Sequence, residues 1–527
     1  MLTRIIGQLF PRERAAPSPA LAEKSAADAA DVELGKGNFA TAANHLRSQL
    51  RNQPGSSELL WKMARAQIGL GDVGAALSVL APILAGPQLQ FGQRRVLDAA
   101  IVAFANACGA SEASRNDGAY LLGCAFLEQG EFEAAYQCAR VVANDPEANL
   151  SYHLLPISDD LVKDCDATAP TARVSQTLFS VSPDGKKAAA YLCTLPGGMV
   201  LGHSGIPLSA GKTAYPSRHI HNLASIFNPS RRLRDEMICL ASASHILAVD
   251  SGVDDYDGSH VLIGNHANPG HWMLNHFGRL RVLEEMPPSA DAKLIVYDNI
   301  GPVALRSLEL AGYPEQRLTP IPKGRIARFE LLTAPSMLFG GIDGALYWSD
   351  EVPHFIRRKL TPARAQDGTR RILISRKNAR WRRLRNEDEL LENLADLGFE
   401  SIDLAQLSLD QQIALAAESN TIVGAFGAGM SIVLLAHPGT VMVEIKATLS
   451  GPMDVHPLAA AALGVKYSSV LATAVQTSTD PRESLNTDLV CDPAIVRAAI
   501  VEAIEAAAVS IHIGGASCVR KKRLDPA

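Results

Sequence analysis

The run Gly424-Ala425-Phe426-Gly427-Ala428-Gly429 closes an apolar stretch, Thr421 to Phe426, that reads as a buried strand. Met430 to Ala436 follows as a short helix. Glycines at such a turn let the backbone approach a ligand, and free N–H groups at a helix start attract phosphate oxygens. Taken alone, a turn of this kind serves packing as readily as binding. Arg376 stands at the end of a second strand-like run, Arg371 to Ser375, where a guanidinium can hold a pyrophosphate through two hydrogen bonds of fixed geometry. The basic run that follows, Arg380, Arg382, Arg383 and Arg385, also fits a solvated face. Glu444, within Thr440 to Ile445, offers acceptor oxygens to a ribose diol, although an isolated Glu serves equally at a strand edge.

These residues need a frame that brings strand ends together. Asn386 with Glu389 has the spacing of a capping box, and Leu390, Leu391, Leu394 and Leu397 give the helix one apolar stripe. Gly398 ends that helix, Phe399 to Leu404 is the next strand, and Ser408 with Gln411 starts a helix that runs through Ala417. Pro438-Gly439 stops the helix after the glycine turn. Strands alternating with helices on short loops require parallel pairing with right-handed crossovers. The reading is a Rossmann-like domain over 366–510 with a tail at 511–527.

Upstream, 170–360 reads as a second α/β domain. Met237 to Asp250 is apolar, Ser259 to Gly264 and Lys293 to Tyr297 are strands, and Gly270 to Glu285 and Pro302 to Ala311 are helices. Gly340, Gly341 and Gly344, between Pro335 and Pro353, mark an irregular crossover. Ser151 to Thr177, with Pro156 and Pro170, reads as a linker.

The first 150 residues differ in kind. Gly37-Asn38-Phe39 with Ala42 and Leu46 recurs as Gly71-Asp72-Val73 with Ala76 and Leu80, a spacing of 34 positions. A further copy runs through Leu122, Gly123, Phe126, Gly130, Phe132 and Ala135 to Pro146, with an irregular unit around Arg94 to Ala107. The period resembles the tetratricopeptide repeat, which implies an all-α helical region over 28–150 that binds a partner. A generic helical bundle is the alternative. Residues 1–27 form a leader whose start, Met1 to Phe10, has apolar residues at helical spacing.

The ordered strings Ile374-Ser-Arg-Lys-Asn-Ala-Arg-Trp-Arg-Arg-Leu-Arg-Asn-Glu-Asp-Glu-Leu390, Gly398-Phe-Glu, Gly424-Ala-Phe-Gly-Ala-Gly-Met and Pro438-Gly-Thr-Val-Met-Val-Glu444 together resemble glycosyltransferase family 61. Asn268-Pro-Gly-His-Trp-Met-Leu274 agrees with that family's segment at a helix start, so the resemblance spans about 170 to 510. It implies a GT-B fold of two Rossmann-like domains and an inverting transfer from a nucleotide sugar, with no cofactor and no metal. On that reading Arg376, Phe426, Gly427, Ala428, Gly429 and Glu444 form the nucleotide-sugar site. The first α/β domain supplies the general base that such a transfer needs. His271 is the candidate, with Asp298 second; a His that packs the Trp272 helix is the bland alternative. The family turn carries His where this chain has Phe426, and a phenyl ring cannot donate a hydrogen bond or carry charge. A catalytically weak scaffold acting through its repeats is therefore a competing reading.

Composition narrows the rest. The chain has 527 residues, 47% of them hydrophobic and 20% charged, as in folded soluble domains. A net charge of −5 gives no electrostatic reason for nucleic acid as a partner. The expected partners are a nucleotide sugar, a glycan or glycoconjugate acceptor, and a protein docked on the repeats. Eight cysteines without a Cys-x-x-Cys pair read as buried thiols of a reducing compartment. With no long apolar run, the expectation is a cytoplasmic protein with at most peripheral contact at the inner membrane. His266, His271 and His276 are spaced by five, which does not suit the helical zinc motif. A dinucleotide-binding oxidoreductase is disfavoured because no Gly-x-Gly-x-x-Gly follows a strand with an acid beyond it.

Overall fold

The computed structural model describes parts of 29–79 and 120–143, and 151–520 apart from short stretches at 159, 168–170, 183, 203–204, 216–217, 220–237, 242–243, 251, 265, 323, 343–344, 362–367, 448–454 and 476–485. The leader, Gly71, Val73, Leu80, the Arg94–Ala107 unit, Leu122, Phe126, Gly130, Pro146 and the end of the tail lie outside these residues. The fold is mixed α/β with several sheets. It divides into two compact units that interleave along the chain.

The first unit comprises 1–172, 193–262 and 321–334. Its helices Phe39–Asn52 and Ser57–Gly69 pack through Ala42, Ala43, Leu46, Leu59, Met63 and Ala66. The alanines let the helices approach closely, and Gly37, at φ +77°, turns the chain ahead of the first. Helix Phe132–Ala143 packs on Ser57–Gly69. The linker expected over Ser151 to Thr177 is instead structured. Ser151–Pro156 is a strand paired antiparallel with His245–Asp250, and Leu161–Ala167 is a helix. Pro156 is tolerated because its strand lies at the edge of the sheet. Ile238–Ala241 completes that three-stranded sheet. Strands Val253–Leu262 and Ile326–Pro335 run parallel, with Met199–Leu201 antiparallel to the latter. Leu155, Leu201, Ile206, Leu208, Ile246 and Ile326 form one core there.

The second unit comprises 173–192, 263–320 and 335–527. Its centre is a five-stranded sheet, all parallel, numbered here in chain order: β1 (Arg370–Ile374), β2 (Phe399–Ile402), β3 (Ser419–Ala425), β4 (Val441–Lys446) and β5 (Lys466–Leu471). The order across the sheet is β2-β1-β3-β4-β5. Every residue of β4 is buried, as expected for a central strand covered on both faces. Helices α1 (Glu387–Asn393), α2 (Leu409–Glu418), α3 (Val455–Leu463) and α4 (Pro493–Arg520) follow strands. Leu373, Val423, Val443, Val496 and Ile500 join sheet and helices in one core.

The capping box at Ser408 and Gln411 forms in both directions. Gly398 takes φ +74° as a left-handed cap. Asn386 behaves differently from expectation: it precedes α1 but makes no side-chain cap. Its amide instead donates to the Cys491 carbonyl at 2.8 Å and accepts from the Cys491 N–H at 3.2 Å, which satisfies two backbone groups of a neighbouring segment. The glycines 340 and 341 belong to a hairpin, Gly340–Ile342 with Ala345–Tyr347, while Gly344 lies outside the described residues. Cys124, Cys138, Cys165, Cys193 and Cys491 are buried thiols. No described helix is long and apolar enough to cross a membrane.

Candidate active site

Ligands of open parallel sheets bind beyond the carboxyl ends of the strands. Here Ile374, Gly424 and Glu444 stand in register on β1, β3 and β4. Two residues further along each strand come Arg376, Phe426 and Lys446. Arg376 and Phe426 lie just past the ends of β1 and β3, and Lys446 is the last residue of β4, so all three stand at the carboxyl end of the sheet.

The Arg376 guanidinium is held by the loop that follows it. Its Nη2 donates to the Trp381 carbonyl at 2.7 Å and its Nε to the Arg382 carbonyl at 3.1 Å. The Arg376 backbone N–H donates to Glu387 at 3.1 Å. The guanidinium lies against the glycine turn, where a Cβ on Gly427 would stand 2.4 Å from Arg376 Nη1. A side chain at 427 would therefore have to displace the Arg376 guanidinium from its two carbonyl partners. Beyond the turn, Ala428–Leu435 is a 3-10 helix, started by a Met430 N–H bond to the Gly427 carbonyl at 2.9 Å.

Around Phe426 two cations gather. The Arg382 guanidinium lies 5.0 Å from the ring centroid and Lys446 Nζ 5.9 Å from it, both within the range of cation–π attraction. Arg382 is the member of the basic run that leaves the solvated face, at a left-handed φ of 57°. Its Nε is buried, with no hydrogen-bond partner among the described residues. Burial, and then repulsion from Arg376, push its pKa down to about 10, with Glu444 acting in the opposite sense. Burial also lowers the pKa of Arg376. Both guanidinium charges are held at a cost that an incoming anion would offset.

Glu444 is fully buried, and both its oxygens have internal partners. Oε1 bonds His456 Nδ1 at 2.6 Å; Oε2 accepts from the Tyr467 hydroxyl at 2.7 Å and lies 3.3 Å from Lys446 Nζ. Burial opposes its ionisation, but the attraction of His456 and Lys446 and the hydrogen bonds win, holding the carboxyl below its ordinary range. His456 also meets the edge of Phe426, with centroids 5.6 Å apart. Lys446, His456 and Tyr467 were not singled out in the sequence. The visible signal for Lys446 was its place two positions after Glu444; His456 and Tyr467 come from α3 and β5 and carry no motif.

The segment that carries His271 reaches the same turn. Asn268 caps it by accepting from Gly270 N–H at 2.9 Å, and a Cβ on Gly270 would fall 2.5 Å from Ser431 Oγ on the 3-10 helix. The helix expected over Gly270 to Glu285 is irregular: α-helical to His271, π-helical over Trp272–His276, 3-10 over Phe277–Arg279 and α-helical over Leu280–Glu285. Bulges of this type recur at functional sites because they re-aim side chains. His271 Nδ1 is 3.0 Å from Asn275 Oδ1, and the rings of His266 and His271 lie 4.6 Å apart. Trp272 donates its indole N–H to Ser307 at 2.9 Å, and Phe277 packs on Phe355 at 5.5 Å. Arg306 grips Asp410 of α2 through two nitrogens. These contacts fix the His271 segment to the body that holds β1 to β5. Asp298 is exposed in the turn after strand Lys293–Tyr297, and among the described residues no hydrogen bond or ion pair joins it to this cluster. Nor do three His, Cys, Asp or Glu side chains group as metal ligands among those residues.

Cations thus gather at the strand ends, and the segment that carries His271 meets the 3-10 helix after the glycine turn through Gly270 and Ser431. Residues 270–443 match the family model of Glycosyltransferase 61. The match supports a glycosyltransferase. It covers about a third of the chain and takes in His271, Arg376 and the glycine turn, but stops one residue short of Glu444. No curated protein matches the chain.

Proposed function

We propose that the chain transfers a sugar from a nucleoside-diphosphate sugar to a glycan or glycoconjugate acceptor, with inversion at the anomeric carbon. The observation that carries this reading is the gathering of Arg376, Arg382 and Lys446 at the carboxyl end of the sheet beside two buried carboxylates, Glu444 and Glu387. Three cations beside two carboxylates leave a local excess of positive charge, which an anionic diphosphate would offset. Arg376 and the N–H groups of Gly427 to Gly429 bind the phosphates, with Arg382 and Lys446 neutralising the leaving diphosphate as charge develops on it. Phe426 is the platform that holds those two cations. Glu444 is given a positioning role here, anchoring Lys446 and His456, rather than acceptance from the ribose.

His271 takes the acceptor hydroxyl's proton as its oxygen attacks the anomeric carbon and the diphosphate leaves from the opposite face. Asp298 is the second candidate for that base. The β1 to β5 sheet is the donor half of a GT-B arrangement, and the transfer needs no metal. The helical residues before 150 dock a protein or acceptor partner. The setting is the cytoplasmic side of surface-polysaccharide assembly.

Phe426 favours one competing reading, a nucleotide-binding scaffold with little turnover. Incubating the chain with UDP- and GDP-sugars and an acceptor glycan panel separates the two. Transfer with release of nucleoside diphosphate supports the enzyme, and binding without release supports the scaffold.

A further inference from the structure

Trp381 is 45% exposed, whereas Trp272 and Trp348 are buried at 1% and 8%. A single exposed aromatic is ordinary in itself; what distinguishes Trp381 is the loop that displays it, which also holds Arg376. The loop that displays it is firmly held. Its carbonyl and that of Arg382 are the two acceptors of the Arg376 guanidinium. The Arg382 N–H donates to Asn486 O at 3.2 Å, and Arg383 and Arg385 pair with Asp488 at 2.9 and 2.7 Å. Left-handed backbone at Arg382 is uncommon for a residue with a side chain. It lets consecutive side chains part, Arg382 onto Phe426 and Trp381 to the surface. Arg380 stacks on the indole at 4.6 Å, which stiffens it and covers one face.

We propose that Trp381 is the platform on which the nucleobase of the donor stacks. This assignment rests on the diphosphate reading of the Arg376, Arg382 and Lys446 cluster. The base of a nucleoside diphosphate is tethered to its phosphates, and the guanidinium proposed to bind those phosphates is bonded to the Trp381 carbonyl itself. Arg380 on one face and the base on the other would enclose the indole. Stacking uses the π-face common to all bases, so uridine and guanosine diphosphates both depend on it.

The test titrates the full chain and its Trp381→Leu and Trp381→Phe variants with UDP, GDP and inorganic pyrophosphate. Trp381→Leu is expected to weaken both nucleotides by about five- to a hundredfold while pyrophosphate affinity stays within about twofold. Trp381→Phe should keep most of the affinity, and nucleotide but not pyrophosphate should quench the Trp381 fluorescence. Unchanged nucleotide affinity in Trp381→Leu overturns the assignment, as does an equal loss for pyrophosphate, which marks a collapsed loop. A raised KM for acceptor with unchanged nucleotide affinity gives the indole to the acceptor instead. Failure of all three ligands to bind the unaltered chain overturns the diphosphate reading as well.

Discussion

Asn275 presents its amide oxygen to Nδ1 of His271 at 3.0 Å, because its amide nitrogen is committed to the carbonyl of Phe339 at 2.8 Å. A carbonyl only accepts, so the amide orientation is settled and His271 must donate from Nδ1. The neutral imidazole then carries its lone pair on Nε2, the form in which a general base works. His271→Ala should lower kcat by about 100- to 10,000-fold. Asn275→Leu should lower it about tenfold through the loss of tautomer control. Both variants should bind UDP within about twofold of the unaltered chain in calorimetry. Full turnover in His271→Ala would transfer the role of base to Asp298 or elsewhere.

Removing Arg382 should separate binding from stability. A hydrogen bond to a charged group contributes about 1.5–3 kcal/mol, so Arg382→Gln should weaken UDP by about ten- to a hundredfold. The same change relieves repulsion between two half-buried guanidiniums, so the melting temperature should hold or rise. A loss of affinity accompanied by a fall in stability would make Arg382 a structural residue.

Gly427→Ala tests the close approach of the turn to Arg376. The added methyl would meet Nη1 at 2.4 Å and must displace a guanidinium held by two carbonyls. Nucleotide affinity should fall at least tenfold, whereas Gly301→Ala, whose Cβ meets nothing within 4 Å, should leave binding unaltered. Unchanged UDP affinity in Gly427→Ala would show that the turn and the guanidinium do not bind phosphate together.

Acid stability should report His276. Its Nδ1 bonds the Ile263 carbonyl at 2.9 Å, and burial, then Arg279, push its pKa well below the ordinary 6.5. The folded chain holds the ring neutral while the unfolded chain protonates it as pH falls below 6.5. The unfolded state then binds more protons, so stability drops on acidification by up to about 1.4 kcal/mol per pH unit until the folded-state pKa is reached. His276→Gln should make urea-unfolding stability shallower with pH between about 6.5 and 5. An unchanged slope would show that the ring is not what titrates.

The parallel sheet was legible because its signals are local: Ser408 with Gln411, Gly398, and the β-branched runs each specify their own element. The glycine turn and Arg376 were legible for the same reason, standing at strand ends. The carboxylate of Glu444 was visible but its partners were not, because His456 and Tyr467 reach it only through packing of α3 and β5. Arg382 reads in sequence like its neighbours Arg380 and Arg385; only its left-handed backbone turns it onto Phe426. Ser151–Pro156 was missed because its partner, His245–Asp250, lies about ninety positions away and no turn chemistry links them.

The central claim is that this chain binds a nucleoside diphosphate sugar at the edge formed by Arg376, Phe426 and Lys446 and transfers its sugar. Isothermal titration of the full chain with UDP-, GDP- and CMP-sugars at low salt tests it most directly, followed by assay of released nucleotide with acceptor glycans. The account predicts that a UDP- or GDP-sugar binds more tightly than any CMP-sugar, which lacks the diphosphate, and that Arg382→Gln abolishes most of that preference. Absence of binding by every nucleotide sugar, with no nucleotide released, would contradict it.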